Sequence, residues 1–131
     1  MVEEVLRHDP PVQNTSRITH EPATIAGVDL PVDSWVLLLA AGNRDPAVFR
    51  DPATFDVTRT REAEHLAFTS GIHYCLGAPL ARLEAQVAFT ELAARLPNLH
   101  RPQPTGRPGD TPSRRASRVI RGYARLPLLA G

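Results

Sequence analysis

The chain holds one cysteine, Cys75, inside the run Phe68-Thr69-Ser70-Gly71-Ile72-His73-Tyr74-Cys75-Leu76-Gly77-Ala78-Pro79-Leu80-Ala81-Arg82. A helix pattern begins directly after it. The free N–H groups of a first turn and the positive end of the helix dipole therefore lie beside the sulfur. Such surroundings favour thiolate, the form that attacks carbon or binds a metal. Gly71 and Gly77 bracket the cysteine and let the backbone approach a ligand closely. With one cysteine no internal disulfide forms, and a zinc site would need several of the five histidines. Without this context, a lone cysteine at a helix start reads as a buried, inert thiol. A cysteine hydrolase would pair it with His73 or His65, yet His73 is too near in sequence to serve well as its base.

Three further groups carry charge in patterned positions. Glu4 and Arg7 stand at i and i+3, on one face of a short helix. Arg17 lies in a strand-like stretch, Asn14-Thr15-Ser16-Arg17-Ile18. Arg59 follows Phe55-Asp56-Val57-Thr58 in a segment with no lasting period.

The run from Phe68 to Arg82 resembles the haem-ligand loop of the cytochrome P450 monooxygenases, read as Phe-x-x-Gly-x-His-x-Cys-x-Gly-x-x-Leu-Ala-Arg. The resemblance implies haem b as cofactor, with Cys75 as the axial thiolate of its iron. A thiolate there donates electron density that promotes O–O cleavage. It implies that Phe68 packs beneath the macrocycle near the sulfur and that Gly71 and Gly77 leave room for the ring. His73 and Arg17 match residues that bind the haem propionates, a guanidinium fitting a carboxylate bidentately. Glu4 and Arg7 match the family's Glu-x-x-Arg pair and Arg59 the arginine that joins it, a structural cluster. Gln13, Asn14 and Ile120 match positions near the substrate. Thr69 departs from the pattern, standing where the family often has glycine. Asn43-Arg44-Asp45-Pro46 and His73-Tyr74-Cys75 are most similar to soluble bacterial members fed by separate redox proteins.

These residues need positioning elements. Residues 2 to 8 read as the end of a helix that Asp9-Pro10-Pro11 stops. Ser16 to His20, Ala23 to Ala26 and Trp35 to Leu39 carry strand signals, the last apolar on both faces and expected to be buried. Ala40 to Asp45 suits a helical turn. Residues 45 to 69 lack a period, and Phe49, Phe55, Leu66 and Phe68 are expected to order them by packing. Gly77 to Leu96 reads as the long helix, with Leu80, Leu83, Val87 and Leu92 in its apolar stripe and Pro79 in its first turn. Residues 101 to 113 read as a loop, and Arg114 to Leu129 as two strands with a turn near Gly122. The fold class is thus an α+β fragment of the mainly-α cytochrome P450 fold. Its parts are a helix end, a small antiparallel sheet, a long ordered meander loop, the cysteine-ligand loop, a long helix and a C-terminal β-hairpin.

The chain has 131 residues, against a resemblance that corresponds to the C-terminal third of a family member. Residues 1–131 are read as the C-terminal part of one domain, lacking its N-terminal two-thirds. The family's acid–alcohol pair and most of its substrate pocket lie in that upstream part, so no catalytic residue beyond the axial ligand is expected. A helix starting at Met1 without a cap points to a truncated gene, ahead of a split enzyme with a separate N-terminal chain or a stand-alone haem-binding domain. Such a piece is expected to expose apolar surface. The implied activity of the whole is insertion of one oxygen atom of O2 into a small organic substrate. Its electrons come from a ferredoxin or flavin reductase type of donor.

Composition narrows the rest. The longest apolar run, Trp35 to Ala41, is far short of the roughly 20 residues of a membrane helix. The N-terminus lacks signal-peptide features, which makes the cytoplasm the expected location. All 15 basic residues are arginine, and the net charge is only +1. Yet Arg101, Arg107, Arg114, Arg115, Arg118, Arg121 and Arg125 face a single acid, Asp110, in the last third. That tail reads first as a solvated strand face. A module that binds a redox partner or nucleic acid is the alternative, with nucleic acid the less expected.

Overall fold

The structure, a computed structural model, describes residues 1–60, 63–103, 105 and 109–131. Arg107 of the basic tail and part of the loop expected at 101 to 113 lie outside the described residues. Helix α1 spans Val2–His8, with Glu3 and Glu4 in its first turn and Arg7 and His8 in its last, the charge order that suits the helix dipole. Asp9 closes it, its N–H donating to the Val5 carbonyl at 3.0 Å. The following prolines cannot continue a helix.

The strand-forming region makes two separate two-stranded ladders, where one small sheet was expected. Its strands are β1 (Asn14–Ile18), β2 (Ala23–Ile25), β3 (Val28–Leu30) and β4 (Trp35–Leu39). β1 pairs antiparallel with β4, Asn14 opposite Leu39 and Ile18 opposite Trp35. β2 and β3 form a hairpin whose central residues, Ala26 and Gly27, have φ of 49° and 80°. Positive φ at both positions is the twist that a two-residue hairpin turn requires. β1 begins earlier than its sequence signal because Gln13 is already paired. Its N–H donates to Val119 O, and its carbonyl accepts from Ala40 N, both at 2.8 Å. β4 has the expected bounds but is not buried: Trp35 is 70% exposed and Leu39 is exposed as well. A two-stranded ladder cannot cover both of its own faces.

A 3-10 turn over Ala40–Arg44 follows β4 and buries Asn43. The described residues between 45 and 69 are held mainly by hydrogen bonds, which corrects the expectation of aromatic packing. Phe49 is buried, but Phe55 and Leu66 are exposed. Helix α2 spans Ala78–Arg95 with Pro79 in its first turn. Its apolar stripe, Leu80, Leu83, Val87 and Leu92, is exposed. Among the described residues, Pro10, Phe49 and Ala78 are the only buried apolar side chains.

The C-terminal hairpin is short: β5 (Ser113–Arg114) pairs with β6 (Tyr123–Arg125) through an irregular register. The connection between them occupies residues 115 to 122, so Gly122 sits at its end and not at a tight turn. Single antiparallel bridges tie Val12 to Ile120 and His100 to Leu129. No helix among the described residues is long and apolar enough to cross a membrane.

Candidate functional site

The cysteine loop is built by a few local bonds. Cys75 N–H donates to Phe68 O at 3.0 Å, closing residues 68 to 75 into a compact loop. Gly71 to His73 form a 3-10 turn, with Gly71 at φ 62°, a conformation that favours glycine. Cys75 O accepts from Ala78 N at 3.1 Å, which leads the chain directly into α2. The Cys75 side chain is exposed. A Cβ at residue 77 would lie 3.8 Å from Sγ, so glycine there keeps one flank of the sulfur open. Ile72 and Leu76, on either side of the cysteine, are each 99% exposed.

Thr69 also takes positive φ, 59°. A β-branched residue pays for this conformation, and here its own hydroxyl compensates by donating to His73 O. The resulting strap spans the loop that carries Cys75.

Arg17 and His73 line one cavity of about 190 Å³, together with Asn14, Thr69 and Ser70. Arg17 Nη1 is held by Ser16 O at 2.7 Å and Thr15 Oγ1 at 3.3 Å, so the guanidinium is oriented along β1. Phe68 lies on another side of the loop. Its ring meets the His65 ring at 6.1 Å and the Arg82 guanidinium at 4.8 Å. Phe68 also lines a larger cavity of about 590 Å³ with Tyr74, Arg82 and residues of α1.

Glu4, Arg7 and Arg59 come together. Arg7 binds Glu4 bidentately, Nε to Oε2 at 2.8 Å and Nη2 to Oε1 at 2.7 Å, both side chains being buried. Arg59 Nε lies 3.4 Å from the same carboxylate. Their remaining donors reach carbonyls of the irregular segment. Arg7 binds Asn43 O at 3.2 Å, Pro52 O at 2.9 Å and Thr54 O at 3.0 Å. Arg59 donates to Arg50 O, and to Asp51 O at 3.0 Å. Hydrogen bonds from Arg7 hold the Glu4 carboxyl down at about 2 against the opposing effect of burial, and the Asp56 backbone N–H adds to this at 2.9 Å. Two helical residues and one loop arginine thus satisfy a stretch of backbone that has no ladder of its own.

Gln13, Asn14 and Ile120 are neighbours. Asn14 Nδ2 donates to Arg118 O at 2.9 Å, beside the bridge between Val12 and Ile120.

Asn43, Glu3, Tyr74 and Arg82 carried no individual expectation. Asn43, 1% exposed, accepts from Leu66 N at 2.7 Å through Oδ1 and thereby joins the 3-10 turn to the start of the cysteine loop. A Gly-Asn pair after a strand was the available signal. Glu3 binds Arg82 Nε at 2.7 Å and His65 Nε2 at 3.1 Å, and Arg82 Nη1 donates to Tyr74 Oη at 2.8 Å. The Arg82 hydrogen bond draws the Glu3 carboxyl below its ordinary range, and the same bond raises Arg82. His65 faces Glu3 and Phe68 in this arrangement, away from a base's role toward Cys75.

The cytochrome P450 family model matches residues 1–104. The Mycobacterium tuberculosis protein named as cytochrome P450 140 is 44% identical over 131 residues, covering 99% of this chain and 28% of its own length. The 6-deoxyerythronolide B hydroxylase of Saccharopolyspora erythraea is 44% identical over 128 residues, 97% of this chain and 30% of its own length. Among solved structures, P450BioI in complex with a hexadec-9Z-enoic acid ligated acyl carrier protein superposes with a TM-score of 0.86 at 40% identity. That match covers 97% of this chain and 31% of the other. The chain therefore spans less than a third of the length of each of these three relatives.

Proposed function

The chain belongs to the cytochrome P450 family, and we propose that residues 1–131 are the haem-holding C-terminal part of a monooxygenase, with the Cys75 thiolate as axial ligand. The carrying observation is an exposed Cys75 thiol at the foot of α2, flanked by glycines, with Arg17 and His73 lining one neighbouring cavity. These residues fit haem b. They offer one open soft ligand for iron, and a guanidinium and an imidazole for the carboxylates of the macrocycle. When bound, thiolate-ligated haem supplies activation of dioxygen, so that one oxygen atom enters a small organic substrate.

The chain's own residues hold and orient. The Cys75 N–H bond to Phe68 and the Thr69 strap fix the sulfur relative to α2. The dipole of α2 favours the thiolate. Phe68, braced by Arg82, is assigned the position beneath the macrocycle near the sulfur. Glu4, Arg7 and Arg59 keep the long segment before the loop in place. Gln13, Asn14 and Ile120 border the substrate. Proton delivery and most of the substrate pocket belong to the upstream two-thirds of the fold, whether in the same polypeptide or a separate chain. Electrons come from a ferredoxin or flavin reductase type of protein, and the enzyme works in the cytoplasm.

Titrating haem into the chain and into Arg17→Ala, His73→Ala and Cys75→Ser tests this reading. The first two variants keep the thiolate-type spectrum with affinity weakened about tenfold each, the scale of one charge-assisted hydrogen bond. Cys75→Ser loses that spectrum. Identical affinity and spectra in all four proteins would overturn it.

A further inference from the structure

We infer that the connection between β5 and β6 forms an oxyanion-binding site, separate from the cysteine loop. Its residues are Arg114, Arg115, Arg118 and Arg121, which line one cavity of about 340 Å³ with Gln13 and Ser117. The sequence places these arginines close together without a helix to align them. Local bonds bend the segment instead. Ser117 Oγ accepts from Ile120 N at 3.0 Å and from Val119 N at 3.3 Å. Arg115 N–H donates to Gly122 O at 3.0 Å, and Arg121 N–H to Pro11 O at 2.7 Å. Both ends of the bend are thus fixed, and its arginines surround one space.

Three of the guanidiniums are held from behind. Arg114 lies 4.9 Å from the centre of the Tyr123 ring. Arg115 Nε donates to Tyr123 O at 3.4 Å. Arg121 is paired with Asp9. The Arg118 side chain has no hydrogen-bond or ion-pair partner among the described residues, while its carbonyl is fixed by Asn14. Four positive charges therefore line one concavity with no carboxylate in its lining, and Asp9 is already committed to Arg121. Clustered guanidiniums repel one another, and a bound oxyanion offsets that repulsion. Planar guanidinium forks suit the oxygens of a phosphate or a carboxylate equally well.

The site shares no lining residue with the cavity proposed for the haem carboxylates. Val12, Asn14 and Arg17 line the cavity shared with His73, whereas Gln13 lines the arginine cavity. The ligand is thus an oxyanion distinct from the macrocycle, and its binding does not depend on haem.

Isothermal titration of the haem-free chain with inorganic phosphate, and separately with succinate, at low and constant ionic strength tests the site. Saturable one-to-one binding is expected, and the tighter of the two identifies the preferred oxyanion. Arg118→Ala should weaken it about tenfold or more, and Arg118→Lys should restore part of the loss. Arg95→Ala, on α2 and paired with Glu91, should leave it unchanged. Binding of neither anion, or equal weakening in Arg95→Ala and Arg118→Ala, would overturn the inference. The same holds if duplex DNA binds both variants and the parent alike while phosphate and succinate do not saturate. Since haem takes no part, failure here leaves the reading of Cys75 standing, and failure of that reading leaves this one standing.

Discussion

Glu3 and Arg82 are 79 positions apart and joined at 2.7 Å, so the first helix is fastened directly to the helix that follows the cysteine. Arg82 extends the link on its other side by donating to Tyr74 Oη and by lying over the Phe68 ring. One guanidinium thereby connects α1, the residue before Cys75 and the aromatic at the loop's start. Arg82→Ala should destabilise the chain by about 1–2 kcal/mol, more than an exposed ion pair alone contributes. Glu3→Gln should cost about 0.5 kcal/mol or less, because Glu3 is well exposed. Urea unfolding of both variants checks the order. Equal losses would mean that the ring and hydroxyl contacts of Arg82 add nothing.

Glu4 sets an acid limit on stability. Its carboxyl is held at about 2, against a usual value of 4.5. A carboxyl lowered on folding contributes fully above the unfolded value and loses that contribution as pH falls toward the folded one. The Glu4 contribution should thus be complete above about pH 5 and vanish between there and about pH 2, with a size on the order of 3 kcal/mol. Glu4→Gln should be less stable at pH 7 and should flatten this acid limb. Parallel pH profiles for the variant and the parent would contradict the assignment.

Thr69 sits at a backbone angle that glycine adopts without strain, and offsets this with its hydroxyl bond to His73 O. Thr69→Ala keeps the strain and loses the bond, a loss of about 1 kcal/mol. Thr69→Gly loses the bond but releases roughly 1 kcal/mol of strain, so it should be close to neutral. Thermal unfolding should rank alanine below glycine. The reverse order would show that the side chain does more than strap the loop.

Asn43 carries both ends of a buried connection, Leu66 N to Oδ1 and Arg7 to its carbonyl. Asn43→Ala leaves a backbone N–H without its partner and should cost about 2–3 kcal/mol. Amide exchange at Leu66 should accelerate by at least tenfold. Unchanged protection at that amide would contradict the role.

The bounds of α1 and β4 and the pairing of Glu4 with Arg7 were legible because each rests on local spacing, whereas the meeting of Arg59 with Glu4, 55 positions away, was implied only by the resemblance. What escaped depends on three-dimensional surroundings. β4 has the composition of a buried strand, but burial is decided by what covers it, and Trp35 stands open. Phe55 looked like core and instead meets His8 edge-on at an exposed surface. Asn43 and Arg82 act on partners far along the chain, and nothing in their immediate neighbours announces that. At the turn of β2 and β3, the glycine at 27 is visible in the sequence, while the positive φ of Ala26 follows from the hairpin's twist.

The central claim is that Cys75 supplies an axial thiolate to haem iron. The reduced, CO-bound absorption spectrum of the haem-reconstituted chain, beside Cys75→Ser, tests it most directly. A strongly red-shifted Soret band is expected in the parent and not in the variant. Absence of that band from the parent, or an equal band in Cys75→Ser, would contradict the account.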